Sequence, residues 1–177
     1  MKNELGLVHI YTGDGKGKTT SSIGLIIRAL GAGLKVVFCQ FLKSGKSSEL
    51  NILKALDNLT YVSKEGVNGF INQLSEREIE KIKNMHNDML DKCIDLCKLG
   101  KCDVLVLDEI MAAINLNVVD YDKVLYFLKN RPDNIEIVMT GRDPKPELIE
   151  IADYISEIKK IKHPFDNGIN ARVGIEQ

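Results

Sequence analysis

Residues 12–20 form a glycine-rich segment with two lysines and two closing threonines, Thr-Gly-Asp-Gly-Lys-Gly-Lys-Thr-Thr. Glycines let backbone N–H groups converge on phosphate oxygens without Cβ clashes, and the N-terminus of a following helix adds partial positive charge. Lys18 brings a full positive charge to the phosphates, and the hydroxyl of Thr19 suits a Mg²⁺ ligand. These residue types, in this order, predict a phosphate-binding loop.

The flanking segments support this prediction, because a strand-forming run at residues 5–11 precedes the loop and a helical run at residues 19–30 follows it. The loop departs from the usual Gly-x-x-x-x-Gly-Lys-Ser/Thr pattern. Thr12 stands where the first glycine is expected, and Lys16 adds a second cation. We predict a tight, basic loop. The alternative is a glycine-rich turn with solvated lysines.

Two adjacent acidic residues, Asp108 and Glu109, directly follow a largely apolar run at residues 102–107. We predict that this run is a buried strand next to the strand that precedes the phosphate-binding loop (the P-loop). Both carboxylates would lie at the carboxyl end of the strand, where they could bind Mg²⁺ or its waters. The alternative is that they cap the next helix at its positive end. The sequence leaves open which carboxylate binds the metal directly.

Arg142 follows another predicted strand, residues 135–140, and should lie at the same carboxyl edge of the sheet. Its guanidinium could contact phosphates bidentately or lie in a surface turn. No residue stands out as a base for activating a nucleophile. This pattern indicates a site that binds a polyphosphate and its metal, with the nucleophile arriving on a second substrate.

Strand-like and helix-like segments alternate along the chain, which predicts an α/β fold with a mostly parallel sheet and helices on both faces. Further strands are expected at residues 35–42, 59–62 and 154–158. Further helices are expected at residues 48–56, 75–100, 120–129 and 146–152, the second of them opened by a capping box at Ser75 and Glu78. We expect one domain, residues 1–177, whose irregular segment from about residue 159 to 177 completes the site.

Composition and charge exclude several classes of protein. A net charge of −1 argues against broad nucleic-acid binding, and no apolar run approaches the roughly 20 residues of a membrane span. The first residues lack a signal-peptide layout, so we expect a cytoplasmic protein without a membrane partner. The four cysteines, Cys39, Cys93, Cys97 and Cys102, favour buried reduced thiols over a metal site.

Several motifs in a fixed order carry a resemblance to a known family. They are residues 12–20, Gln40-Phe-Leu-Lys43, Val106-Leu-Asp-Glu109, Asn130-Arg-Pro132, Thr140-Gly-Arg142, Lys162-His-Pro-Phe-Asp-Asn-Gly168 and the tail Ala171-Arg-Val-Gly-Ile-Glu176. Over almost its whole length the chain resembles the P-loop type of ATP:corrinoid adenosyltransferase, which acts on cob(I)alamin or cob(I)yrinic acid a,c-diamide. The resemblance implies a P-loop NTPase-like (RecA-like) fold. It also implies transfer of the 5′-deoxyadenosyl group of ATP to Co(I), with release of triphosphate.

The resemblance implies roles for individual residues. Catalysis is implied for Lys18, Lys16 and Glu109, and Mg²⁺ binding for Thr19, Glu109 and Asp108. ATP contacts are implied for the loop and two arginines: Thr12, Gly13, Asp14, Gly15, Lys16, Gly17, Lys18, Thr19, Thr20, Arg28 and Arg142. Corrinoid contacts are implied for Phe70, His163 and Phe165. The family is typically homodimeric, and a reductase such as a flavoprotein is the expected electron donor.

The corrin-facing loop departs from the family pattern. Family members usually carry aromatic residues there, including a tryptophan, whereas residues 66–71 hold Phe70 and the chain has no tryptophan. The tail ends in Gln177 where an aromatic residue is expected. A corrin-independent ATP-binding or weak ATPase module is therefore the main alternative function, and a small-molecule P-loop kinase is a further one.

Overall fold

Strands and helices alternate through this computed structural model, which describes residues 4–43, 47–64 and 74–176. The described strands are β1 (Val8–Thr12), β2 (Val36–Gln40), β3 (Leu59–Val62), β4 (Val104–Asp108), β5 (Glu136–Thr140) and β6 (Tyr154–Glu157). They form one sheet in the order β3-β2-β4-β5-β1-β6, and every pairing is parallel. The predicted α/β class is confirmed.

Helices connect successive strands. They are α1 (Lys18–Gly31), α2 (Leu50–Leu53), α3 (Glu76–Lys98), α4 (Ile110–Asn115), α5 (Tyr121–Asn130) and α6 (Pro146–Ile151), with a 3₁₀ helix at Pro164–Asn167. Helix α2 is shorter than the predicted segment 48–56, and α4 was not predicted. At the start of α3, the Glu78 carboxylate accepts hydrogen bonds from the backbone N–H and the hydroxyl of Ser75, and the predicted capping box is confirmed.

Alternate residues of the strands enter two separate cores, because side chains of a pleated strand point to opposite faces. Val37 and Cys39 pack in the core that α3 to α6 cover, whereas Val36 and Phe38 pack in the core beneath α1 and α2. Both faces of the sheet are therefore covered, as predicted. This explains why its strands read as continuous apolar runs.

The strand that carries the acidic pair does not neighbour the P-loop strand, so that prediction is wrong. Strand β5 lies between β4 and β1, with Leu105 of β4 opposite Ile137 of β5 and Val8 of β1 opposite that same Ile137. Neighbouring strands are about 4.8 Å apart, so roughly 10 Å separate β4 from β1. The carboxyl end of β5 is thereby placed at the centre of the predicted site.

The four cysteines lie in the core covered by α3 to α6 as buried free thiols, which confirms their predicted burial. Among the described residues, no three or more His, Cys, Asp or Glu side chains are arranged to hold a metal ion by themselves. The helices of the described segments include none with the length and apolar character that a membrane crossing requires.

Candidate active site

The carboxylate of Asp108 is the centre of the site and accepts four hydrogen bonds. Its Oδ1 accepts from the hydroxyls of Thr140, at 2.7 Å, and Thr19, at 2.9 Å. Its Oδ2 accepts from Lys43 Nζ, at 2.9 Å, and Gln40 Nε2, at 3.1 Å. Both oxygens are therefore occupied by protein donors, which offsets the cost of burying a carboxylate.

Three neighbouring strands end at this point, and each contributes its last residue. Gln40 ends β2, Asp108 ends β4 and Thr140 ends β5. All three side chains are buried, and Gln40 lies directly opposite Asp108 in the strand register. The carboxyl ends of these strands thus carry polar side chains, and this is the edge at which ligands bind in open α/β sheets.

Glu109 leaves this network and faces the adjoining cleft. Its backbone has a left-handed conformation, with φ 60°, and its N–H donates to Thr140 Oγ1 at 2.9 Å. Its side chain makes no capping hydrogen bond to α4, so the helix-cap alternative is not what its geometry shows. Burial raises the pKa of Glu109, and the Asp108 charge raises it further. A cation placed against Glu109 would relieve this cost.

Lys18 begins α1 and its side chain folds back into the loop. The ammonium donates to the carbonyls of Gly15, at 2.8 Å, and Gly13, at 2.7 Å, and the residue is 8% exposed. Burial lowers the pKa of Lys18, the nearby Arg142 charge lowers it too, and Glu109 opposes both. An ammonium at the N-terminus of a helix, beside an open cleft, is suited to an anionic ligand.

The loop is packed against the chain that leaves β6, and two glycines make this approach possible. Gly15 N–H donates to Ile158 O at 2.8 Å. Gly13 has φ 103°, and a Cβ at that position would lie 2.4 Å from the same oxygen. The Asp14 carboxylate accepts from Lys160 N–H at 2.9 Å, while Arg142 donates to Asp14 O. These contacts explain the glycines of the loop, because the segment after β6 packs directly against the loop backbone.

A cleft of about 320 Å³ lies between the loop and the C-terminal segment. Residues 14–20, Glu109 and Arg142 line one side, and residues 163–165, 169–172 and 175–176 line the other. Across the cleft, Glu176 Oε1 lies 3.7 Å from Lys16 Nζ, and on its own side it accepts from Arg172 Nη2 at 2.9 Å. The hydrogen bonds from Arg172 hold the pKa of Glu176 down at about 2.

Most of the sequence-predicted residues meet around this cleft, including His163 and Phe165. Thr12 ends β1 directly below the loop. Arg28 is different, because it is an exposed residue in the last turn of α1, roughly 15 Å along the helix from Lys18. Phe70 lies outside the described residues.

Sequence reasoning missed three residues of the Asp108 network as site residues: Gln40, Lys43 and Thr140. A signal for them existed, since each is a polar residue at or just after the carboxyl end of an apolar strand. The loop position of Lys43 in the sequence gives no indication of the direction of its side chain. Only the turn at Leu42, which has φ 57°, points it back toward Asp108.

The residues present fit a Mg²⁺ ion bound together with phosphates. Mg²⁺ is usually held by one or two carboxylates, waters and substrate phosphate oxygens rather than by an all-protein cage. The Thr19 hydroxyl and the Glu109 carboxylate would supply oxygen donors to such an ion, and the fully hydrogen-bonded Asp108 carboxylate lies behind Thr19.

A glycine-rich loop between the first strand and first helix of a parallel sheet, facing a buried acidic strand end, defines a P-loop nucleotide-binding protein. The chain belongs to the ATP:corrinoid adenosyltransferase BtuR/CobO/CobP family, whose family model matches residues 4–177. This membership confirms the resemblance found in the sequence.

Curated relatives are similar over nearly the whole chain. A corrinoid adenosyltransferase of Sinorhizobium sp is 34% identical over 98% of this chain and 81% of its own length. Those of Pseudomonas aeruginosa and Escherichia coli K12 are 33% and 30% identical, over 99% of this chain and 85% and 87% of theirs. A solved Pif1 helicase chain has a TM-score of 0.36 at 18% identity, over 91% of this chain and 41% of its own, and supports no conclusion.

Proposed function

We propose that this protein transfers the 5′-deoxyadenosyl group of ATP to the Co(I) centre of a corrinoid and releases triphosphate. The observation that carries the proposal is that the loop with Lys18 and Thr19 lies against the strand end with Asp108 and Glu109, in a chain of this family. The reaction is an alkyl transfer, since a carbon centre moves from oxygen to cobalt.

The triphosphate of ATP is the leaving group, and cations of the loop stabilise the charge that it gains. Lys18, Lys16 and Arg142 all line the cleft. Lys18 exchanges its two carbonyl partners for phosphate oxygens, and Lys16 exchanges Glu176. Because these cations are held in place before the reaction, little reorganisation accompanies bond breaking.

We infer that Glu109 and Thr19 contact Mg²⁺ directly and that Asp108 acts behind them. All four hydrogen-bond positions of Asp108 are taken, whereas no described residue donates a hydrogen bond to the Glu109 carboxylate. When bound, Mg²⁺ supplies positive charge to the phosphates. The hydrogen bond from Thr19 to Asp108 orients the hydroxyl oxygen toward the cleft.

The proposed chemistry requires no protein base, which agrees with the pattern noted in the sequence. Co(I) brings the electron pair that forms the cobalt–carbon bond, and the C5′–oxygen bond breaks with its pair leaving on triphosphate. No proton is transferred in this step. The protein therefore contributes alignment of C5′ with cobalt and stabilisation of the leaving group.

The corrinoid side of the proposal rests on His163 and Phe165. They lie on the wall of the cleft opposite the loop. The Phe165 ring is mostly exposed, so it is available to contact an apolar ligand. Phe70 remains a predicted corrinoid contact on the basis of the family resemblance.

We further propose a single domain in which the tail from about residue 159 completes the site, a homodimer in the cytoplasm, and a reductase that supplies the electron for Co(I). Residues 163–165, 169–172 and 175–176 line the cleft, which supports the role of the tail. Family resemblance supports the others.

An anaerobic assay with Mg-ATP and chemically reduced cob(I)alamin tests the proposal. The corrinoid spectrum and the phosphate product are followed together, with Lys18→Ala as the inactive control and Lys129→Ala as a matched control on the exposed end of α5. We expect adenosylcobalamin and stoichiometric triphosphate from wild type and Lys129→Ala.

Other products decide between the alternatives. ATP binding without adenosylation would contradict the proposal and favour the ATP-binding module. Release of ADP with phosphorylation of a small molecule would favour the kinase.

A further inference from the structure

His86 is a buried histidine on α3 that links two other parts of the fold. Its Nε2 lies 3.3 Å from the backbone nitrogen of Leu42, in the loop after β2. Its Nδ1 lies 3.1 Å from the carbonyl of Val118, after α4. The ring is 2% exposed and packs edge-on against Phe41.

The two partners fix the protonation state of His86. Leu42 N–H can only donate, so Nε2 must be unprotonated, and Val118 O can only accept, so Nδ1 must carry the proton. His86 is therefore the neutral Nδ1–H tautomer. Burial lowers the pKa of His86, which agrees with a neutral ring.

The loop that His86 contacts is strained at Leu42. A left-handed backbone, with φ 57°, is unfavourable for a bulky residue and persists only when its surroundings impose it. Phe41 N–H donates to Asp108 O at 3.0 Å on one side of the turn, and His86 accepts from Leu42 N–H on the other. Together they direct the next residue, Lys43, back onto the Asp108 carboxylate.

We propose that His86 is a positioning residue for the Mg-ATP site, acting through Leu42 to hold the Lys43 ammonium on Asp108 and Thr19. Lys43 Nζ lies 3.5 Å from Thr19 Oγ1, so its position affects the hydroxyl that faces the phosphates. His86 itself is buried, and neither Leu42 nor Val118, its two hydrogen-bond partners, lines the cleft. The inference rests on the proposed Mg-ATP site and not on the cobalt chemistry.

Two substitutions separate the two hydrogen bonds of His86. In His86→Gln the amide oxygen reaches the Nε2 position and can still accept from Leu42 N–H. In His86→Asn the shorter amide stays near the Nδ1 position and can still donate to Val118 O. Both variants lose one hydrogen bond and some packing, so both should be less stable. If His86 acts through Leu42, only His86→Asn should lose Mg-ATP affinity, by about five- to tenfold in a calorimetric titration.

A double-mutant cycle with Lys43→Met tests whether the effect passes through Lys43. Coupled residues of one network give non-additive effects. We expect His86→Asn to weaken Mg-ATP binding in the wild-type background and to change it less than about twofold in the Lys43→Met background. Equal losses in both backgrounds, or equal losses for His86→Gln and His86→Asn, would overturn the proposal and leave His86 as a packing residue only.

A measurement on the unmodified protein keeps the proposal testable if His86→Asn does not fold. Nitrogen-15 NMR of the histidine rings distinguishes the two neutral tautomers and the imidazolium. We expect His86 as the Nδ1–H tautomer at pH 7. The Nε2–H tautomer or an imidazolium would rule out the contact with Leu42. Because the titration and the NMR spectrum need no corrinoid, failure of adenosyl transfer would leave this test intact.

Discussion

Lys43 Nζ lies 2.9 Å from Asp108 Oδ2, so a partly exposed ammonium from the loop after β2 pairs with a carboxylate that is completely buried. The pair places one protein cation on the side of Asp108 that faces β2. On the opposite side, Asp108 Oδ1 accepts from the hydroxyl of Thr19, and Thr19 and Glu109 line the cleft. Lys43 is therefore a protein cation fixed on one side of Asp108, away from the side where a ligand would bind.

Removing the Lys43 ammonium should destabilise the protein, because a buried carboxylate loses a charged donor. We expect Lys43→Met to lower the free energy of unfolding by about 1–3 kcal/mol, measured by urea denaturation. Lys123→Met is the control, since Lys123 pairs with the half-exposed Asp91 at a similar distance. That surface pair should contribute less than about 1 kcal/mol. Equal losses for the two variants would contradict the special role of the Lys43 pair.

Neutralising Asp108 should destabilise the protein, whereas neutralising Glu109 should not. Asp108→Asn replaces an acceptor with a donor facing other donors, so we expect a loss of about 1–3 kcal/mol in unfolding free energy. Glu109→Gln removes a charge that burial disfavours, so its stability should match wild type within about 0.5 kcal/mol. Its Mg²⁺-dependent ATP affinity should nevertheless fall. Unfolding curves and ATP titrations with and without Mg²⁺ check both variants, and an unstable Glu109→Gln would show that Glu109 has a structural role.

Loss of Lys18 should remove activity while leaving the fold intact. Within the described segments, the ammonium donates to the loop carbonyls of Gly13 and Gly15, and Lys18 belongs to neither apolar core. We expect Lys18→Ala to lower kcat by about 10²–10³-fold, as removal of a preorganised transition-state partner does. Circular dichroism and the adenosylation rate are the measurements. Turnover near the wild-type level would remove Lys18 from the phosphate site.

The neutral state of His86 should make stability depend on pH. Because burial lowers its folded pKa, the unfolded chain binds the proton more readily. The contribution of His86 to stability is complete above about pH 6.5, the ordinary histidine pKa, and is lost as the pH falls from there toward the lowered folded pKa. The slope is at most about 1.4 kcal/mol per pH unit. Urea denaturation between about pH 7.5 and about pH 5, on either side of the ordinary histidine pKa, should show this loss of stability in wild type but not in His86→Gln. Coincident pH profiles for the two proteins would contradict the prediction.

Phe165 should affect the corrinoid without affecting ATP. Its side chain is 67% exposed on the tail wall of the cleft, so Phe165→Ala should cost little stability. We expect the KM for the corrinoid to rise about tenfold, since an aromatic contact is lost, while the KM for ATP stays unchanged. Val173→Ala is the control, because that tail residue is 82% exposed. A matching rise in the KM for ATP would indicate that Phe165 shapes the nucleotide site instead.

Local patterns in the sequence were sufficient to identify the phosphate loop, the acidic pair and most strands and helices. Such features depend on neighbours along the chain: glycine spacing, apolar runs that end in a polar residue, and the Ser75–Glu78 cap. Even the position of Arg142 at the carboxyl edge followed from the rule that parallel strands share one polar edge.

Tertiary structure alone decided the order of the strands. It also decided that the Asp108 carboxylate is hydrogen-bonded by protein donors while the Glu109 carboxylate faces the cleft. Strand β5 enters between β4 and β1 although it comes later in the chain, because strand pairing depends on contacts between distant residues. Lys43 and His86 reach Asp108 and Leu42 across 65 and 44 positions of sequence. No local spacing encodes such contacts, since their geometry exists only after the sheet and α3 have packed together.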